Sequence, residues 1–230
     1  MSSKTAHRVS LFFGLVILAL TLFSLMLPSP PVCGDLPKNY APIIAFELAR
    51  SVKDLHAIFG SAAGGCRSAI ATQLDVINRI DSFLFIQIYG AFLAFFFVGR
   101  RGRNRAVASA AIAIVVAACL ADHVENLALF RLSANPDSAA SIPLLVGATE
   151  TKWIGLGIAA MLAVPLLWDG WLGRLATVLC GIALVATLAT VPASAAVGPY
   201  LSNATALSWF LFLTVDFREA FRRSPSRSAA

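Results

Sequence analysis

Charged side chains are scarce in this chain of 230 residues: Asp, Glu, Lys and Arg together make up 13%, against 58% hydrophobic residues. With a mean hydropathy of +0.79, so little charge excludes an ordinary soluble globular domain and points to a protein that crosses a membrane several times. The length leaves room for roughly six spans of about 20 residues and one sizeable loop, which excludes a large soluble domain. Catalytic fingerprints are missing as well, with no G-x-S-x-G, H-E-x-x-H, P-loop or dinucleotide-binding glycine pattern. Three histidines and four cysteines, without paired-His or Cys/His spacing, give no zinc pattern. The pI near 9.6 does not imply nucleic acid, because the basic residues fall in short clusters beside apolar runs, as they do when they set topology.

What is present is a series of apolar runs, and the expected fold is all-α: a six-helix transmembrane bundle in a single membrane domain, 1–230. The spans are read at 9–27, 76–98, 106–130, 142–168, 175–196 and 199–217. The first run follows Lys4, His7 and Arg8; it is too long for a signal h-region, and prolines rather than an A-x-A site follow it, so it is read as a retained span. Lys4, Arg8, Arg100, Arg101, Arg103, Arg105, Arg174 and the tail arginines Arg218, Arg222, Arg223 and Arg227 all fall on one side. The short loops after spans three and five carry only Arg131. This bias predicts six crossings with both termini in the cytoplasm.

Residues 28–75 are then the single long extracytoplasmic segment. Within it, 41–59 carries Ile44, Leu48, Leu55 and Phe59 at helical spacing, with Arg50, Lys53 and Asp54 largely elsewhere, which predicts an amphipathic helix capping the bundle between spans one and two. Cys33 and Cys66 share this segment, on the side where disulfides persist, and are expected to be bonded; Cys119 and Cys180 lie within spans and are expected to pack as small apolar residues.

The most informative stretch is Asp122-His123-Val124-Glu125-Asn126, inside an apolar run long enough to cross a bilayer. Asp122, Glu125 and Asn126 stand at i, i+3 and i+4 on one helix face, and a carboxylate in hydrocarbon costs several kcal/mol unless a partner or a site compensates it. At 1.5 Å per residue, Glu125 and Asp122 lie roughly 9 and 13 Å from Arg131, and Glu150 and Lys152 about 10 and 13 Å from Pro143. Asp81 belongs to the same outer half. One layer is therefore expected to join the candidate catalytic residues Asp122, Glu125 and Lys152 with the candidate ligand-binding residues Asp81 and Glu150, hydrogen-bonded by Gln87, Tyr89, Asn126 and Trp153. Glu150 is allowed a different helix face.

Two readings of this layer stay open. As a structural salt-bridge cluster it would only pin helices. Against that, four acids face one lysine, so at least one acid is expected to be protonated, to bind a cation or to face a wet cavity, as acid/base chemistry or proton coupling requires. Asp122 and Glu125 suit a hard divalent cation, with no spacing that assigns a metal or a cofactor. His123 points off their shared face, and Gly155 and Gly157 read as helix-packing residues.

The segments Phe46-Glu47-Leu48-Ala49, Ile80-Asp81-Ser82-Phe83-Leu84-Phe85-Ile86 with Tyr89, Asp122-x-x-Glu125-Asn126 and Lys152-Trp153 resemble the recurring marks of an uncharacterised family of small bacterial polytopic membrane proteins. The resemblance spans 47–153 and brings no activity with it. It implies that Glu47, on the capping helix, belongs with the polar layer as one unit.

Three function classes follow. The first is a membrane-embedded enzyme or binder of a lipid headgroup or small anionic ligand, open to the outer face. The second is a non-catalytic accessory or assembly subunit with a membrane-protein partner. The third is a proton-coupled small-solute transporter, disfavoured because no internal repeat relates the two halves and spans five and six offer chiefly Thr187, Thr190, Ser208 and Thr214. Besides the bilayer, no partner is assigned, and nucleic acid is not one.

Overall fold

In a computed structural model the described residues are 1–26, 30, 32–37, 40–60, 65–168, 170–189 and 198–222. They are helical, with no strand among them: α1 (Ser3–Met26), α2 (Pro42–Glu47), α3 (Val52–Phe59), α4 (Arg67–Ile80), a π segment (Asp81–Phe85), α5 (Ile86–Arg100), α6 (Arg105–Ala134), α7 (Ile142–Leu167), α8 (Gly170–Leu188) and α9 (Gly198–Phe221). Five helices are long and apolar enough to cross a membrane: Ser3–Ser24, Arg67–Arg100, Arg105–Ala134, Ile142–Leu167 and Gly170–Leu188. The 24-residue α9 is as long as these, but it carries Asn203, Ser208, Thr214 and Asp216 and falls outside that group. Large apolar side chains such as Phe12, Phe83 and Val185 face outward, a surface that hydrocarbon solvates and water does not.

The helices pack in chain order, α5 on α6, α6 on α7, α7 on α8 and α8 on α9, and α1 closes the bundle by lying between α5 and α9. Small residues bring the backbones together. A Cβ at Gly155 would stand 3.3 Å from Ala118 Cβ on α6, and one at Gly157 3.2 Å from Leu184 Cα on α8, so the two glycines sit at two different helix contacts.

Two features appear at the loop end. The helix that holds span two starts at Arg67, ahead of the expected span: α4, the π segment and α5 form one helical rod of 34 residues, about 51 Å long, which exceeds a hydrocarbon core of about 30 Å. In its first turns Ile70 and Leu74 pack beside Leu129 and Leu132 of α6. The amphipathic stretch 41–59 is two helices, not one. Ser51 is extended (φ −149°, ψ 160°), and its side chain accepts from the Asp54 N–H while Asp54 accepts from the Ser51 hydroxyl and the Arg50 N–H; a residue held as an N-cap cannot continue the preceding helix. Phe46, Leu55, Ile58 and Phe59 from these two helices join α4, α6 and α7 in a second apolar core, separate from that of the main bundle.

The disulfide Cys33–Cys66 ties this cap to the start of α4, with Cα atoms 6.1 Å apart. Gly60 ends α3 at φ +71°, and a Cβ there would meet the Cys33 carbonyl oxygen at 2.9 Å, so both the turn and the crossing strand of chain call for glycine. Cys180 is buried and Cys119 half-buried, both as free thiols. Leu27, Pro28, Pro31, Asp169, Arg223, Arg227 and the end of span five (190–196, with Thr190) lie outside the described residues.

Candidate functional site

The polar layer sits at the seam between the two apolar cores. Lys152, buried on α7, is its centre: its ammonium lies 2.5 Å from Glu125 Oε1, 2.9 Å from Glu47 Oε2 and 3.2 Å from Asp122 Oδ1. The ammonium donates hydrogen bonds to Glu47 and Glu125, while Asp122 Oδ1 is held by charge alone and is buried without a hydrogen-bond partner. Asp122 and Glu125 reach it from one face of α6, while Glu47 comes down from the last residue of α2, whose carbonyl accepts from the Thr149 hydroxyl at 3.1 Å.

A second ring of contacts holds the acids. The Tyr89 hydroxyl donates to Asp122 Oδ2 at 2.8 Å, and the Asn126 amide donates to Asp81 Oδ2 at 2.6 Å. Asp81 opens the π segment, where the Ile86 N–H bonds the Asp81 carbonyl five residues back; such one-turn bulges occur preferentially at functional sites. Trp153 is buried, with its ring centroid 4.9 Å from the Lys152 nitrogen and no hydrogen bond at its indole N–H. Glu125 Oε2 is also buried without a hydrogen-bond partner. Burial pushes the Glu47 carboxyl above its ordinary range, and the Lys152 ammonium opposes that push.

Asp81, Asp122, Glu125, Lys152, Glu47, Tyr89 and Asn126 therefore come together. Glu150 does not: two residues before Lys152, it faces another side of α7 and pairs with Arg50 at 2.7 Å, fixing the link between α2 and α3. Gln87 is likewise outside the network, its amide nitrogen 3.0 Å from His123 Nε2 on the outer faces of α5 and α6. Among the described residues no group of three or more His, Cys, Asp or Glu is arranged to hold a metal ion; the Lys152 ammonium occupies the position a cation would take.

A second buried polar cluster escaped the sequence reading. At the other end of the bundle His7 Nδ1 lies 2.6 Å from Asp216 Oδ1, and the Ser10 hydroxyl is 2.5 Å from Asp216 Oδ2 and 2.8 Å from the Phe92 carbonyl oxygen. Gly99 makes room for the imidazole, since a Cβ there would come within 2.6 Å of it. His7 sits among the N-terminal cations and Asp216 beside the tail arginines, so both read as boundary residues; the signal available was a carboxylate inside an apolar run. The hydroxyls of Thr187, Ser208 and Thr214 bond carbonyls of their own helices instead. Alongside the Asp216 cluster α5 carries the buried Phe92 and Phe96, and Phe96 stacks on Phe212 at 4.4 Å.

Compared with protein-family profiles, with curated proteins and with solved structures, the chain matches none.

Proposed function

We propose that this is a six-span protein of the bacterial inner membrane, with α9 as the sixth crossing, both termini cytoplasmic and α2 and α3 on the extracytoplasmic side. The Lys152 cluster is its working site. It binds the headgroup of a lipid, or another small ligand, from the outer face, and exchanges a proton in doing so. The observation that carries this reading is the charge balance: Glu47, Asp122 and Glu125 share one buried ammonium, and Asp81 stands beside them, bonded to Asn126. A cluster that only pinned helices would need one acid per base, because each unpaired buried charge costs several kcal/mol.

The same balance sets the chemistry. Three carboxylates crowd the Lys152 ammonium, so an anionic group reaches it only after one of them takes up a proton and gives way. Anion binding is then coupled to proton uptake. Asp81, the half-buried member beside the exposed Phe83, is the point of entry.

Mass spectrometry of detergent-purified protein, wild type beside Glu125→Gln and Asp122→Asn, tests the reading. Both changes remove charge and keep hydrogen-bonding capacity, so both variants are expected to fold and to lose a species that the wild type retains. A wild type without bound ligand, together with lost thermal stability in both variants, would assign the chain to the accessory subunits instead.

A further inference from the structure

At the opposite end of the bundle a cavity of about 260 Å³ opens between the ends of α5, α7 and α9 and the start of α8. Four of its lining residues are Arg100, Arg103, Arg218 and Arg222; among the described residues the only carboxylate lining it is Glu219, 3.8 Å from Arg100 and 3.9 Å from Arg222. Leu167, Leu172 and Val215 supply an apolar wall. The volume lies near the lower end for small-molecule sites, which begin at about 300 Å³.

Basic residues at the cytoplasmic ends of helices ordinarily set topology and extend into water. Arg100 does not fit that role. It is 8% exposed and drawn in among helix ends that are far apart in sequence, so the fold has gathered cations around a space rather than spread them. Guanidinium groups present planar N–H forks that match phosphate oxygens. The exposed Trp168 and Trp171 flank the leucines of the wall, and Phe217 and Phe221 project outward beside Arg218 and Arg222, so the cavity lies where headgroups meet acyl chains.

We propose that this cavity binds a phosphate-bearing anion, with an acidic phospholipid of the adjacent leaflet as its source. It is separate from the Lys152 site, and only the assignment of that leaflet to the cytoplasmic side rests on the orientation proposed above. The test is native mass spectrometry of the full chain with phosphatidylglycerol and, in parallel, phosphatidylethanolamine, each with and without millimolar inorganic phosphate. Phosphatidylglycerol is expected to be retained in preference, about fivefold more weakly in Arg218→Gln and in Arg222→Gln, and more tightly in Glu219→Gln. Both arginines are exposed, so their variants fold. Glu125→Gln should leave this binding unchanged whatever it does at the other site. Displacement by inorganic phosphate supports the same site with a soluble phosphate compound as occupant, and resistance to it supports the lipid. Equal retention of the two lipids in wild type and variants, or weaker binding in Glu219→Gln, overturns the proposal.

Discussion

The two buried polar clusters solve the same problem, polar groups inside an apolar bundle, with opposite charge balance. Around Asp216 one carboxylate meets one imidazole and one hydroxyl, and its two oxygens are both taken. Around Lys152 three carboxylates meet one ammonium with Asp81 as a fourth acid nearby, and Asp122 Oδ1 and Glu125 Oε2 are left without a hydrogen bond. A balanced cluster holds helices at the least electrostatic cost, and this one joins α1 to α9 and to α5. A surplus of acid is costly for a fastener and suited to a site that takes up protons. The position differs too: the Asp216 cluster is enclosed by one core, whereas the Lys152 cluster lies where two cores meet and a separate cap contributes Glu47.

The sharpest way to break this contrast is Lys152→Met. It leaves Glu47, Asp122 and Glu125 facing one another, with an expected loss of about 3–5 kcal/mol in thermal or denaturant stability in detergent. An unchanged melting temperature would mean that the acids are already neutral and that the cluster carries no ionic network.

Reduction of Cys33–Cys66 loosens the cap alone. With the cysteines 33 positions apart in sequence, the chain-entropy account gives about 3–4 kcal/mol, and proteolysis within 28–66 should accelerate while the bundle helices stay protected. Uniform acceleration across the chain would show that cap and bundle unfold as one unit.

For the balanced cluster a smaller effect is expected. Asp216→Asn keeps the shape and an acceptor for Ser10, so the loss should be about 1–3 kcal/mol, with no change in any species held at the Lys152 site. Loss of that species would couple the two ends and revive the transport reading, which lacked ionisable residues at this end until His7 and Asp216 were located.

The smallest effect belongs to Asp137, on the surface. Hydrogen bonds from Arg67 and then His56 hold its carboxyl down at about 2, below its ordinary 3.8. Its stabilisation is therefore in place above the ordinary value and is lost as the pH falls toward 2. Asp137→Asn should lower the melting temperature slightly at neutral pH and not at all near pH 2; a constant difference across that range would show that the carboxylate charge plays no part.

Much of the candidate site was legible before folding. Asp122, Glu125 and Lys152 announce themselves because a charge inside a run of alanine, leucine and valine has few affordable positions, and helical rise places them at one depth. Glu150 has the same depth and went elsewhere, because depth is one coordinate and rotation about the helix axis is another. His7 and Asp216 stayed hidden because charges at span ends are ordinary, and only the packing of α1 on α9 turns two of them inward.

The sequence by itself determined that the chain is a set of membrane-length helices, that Cys33 and Cys66 share one loop, and that a polar layer crosses several spans; hydropathy, spacing and charge are local properties that one strand of residues expresses alone. Only the tertiary structure decided that Lys152 takes three carboxylates, that the cap is two helices with their own core, and that four arginines from distant helix ends surround one cavity. Each of these depends on how helices are rotated and set against one another, and that is chosen by the packing of all side chains together.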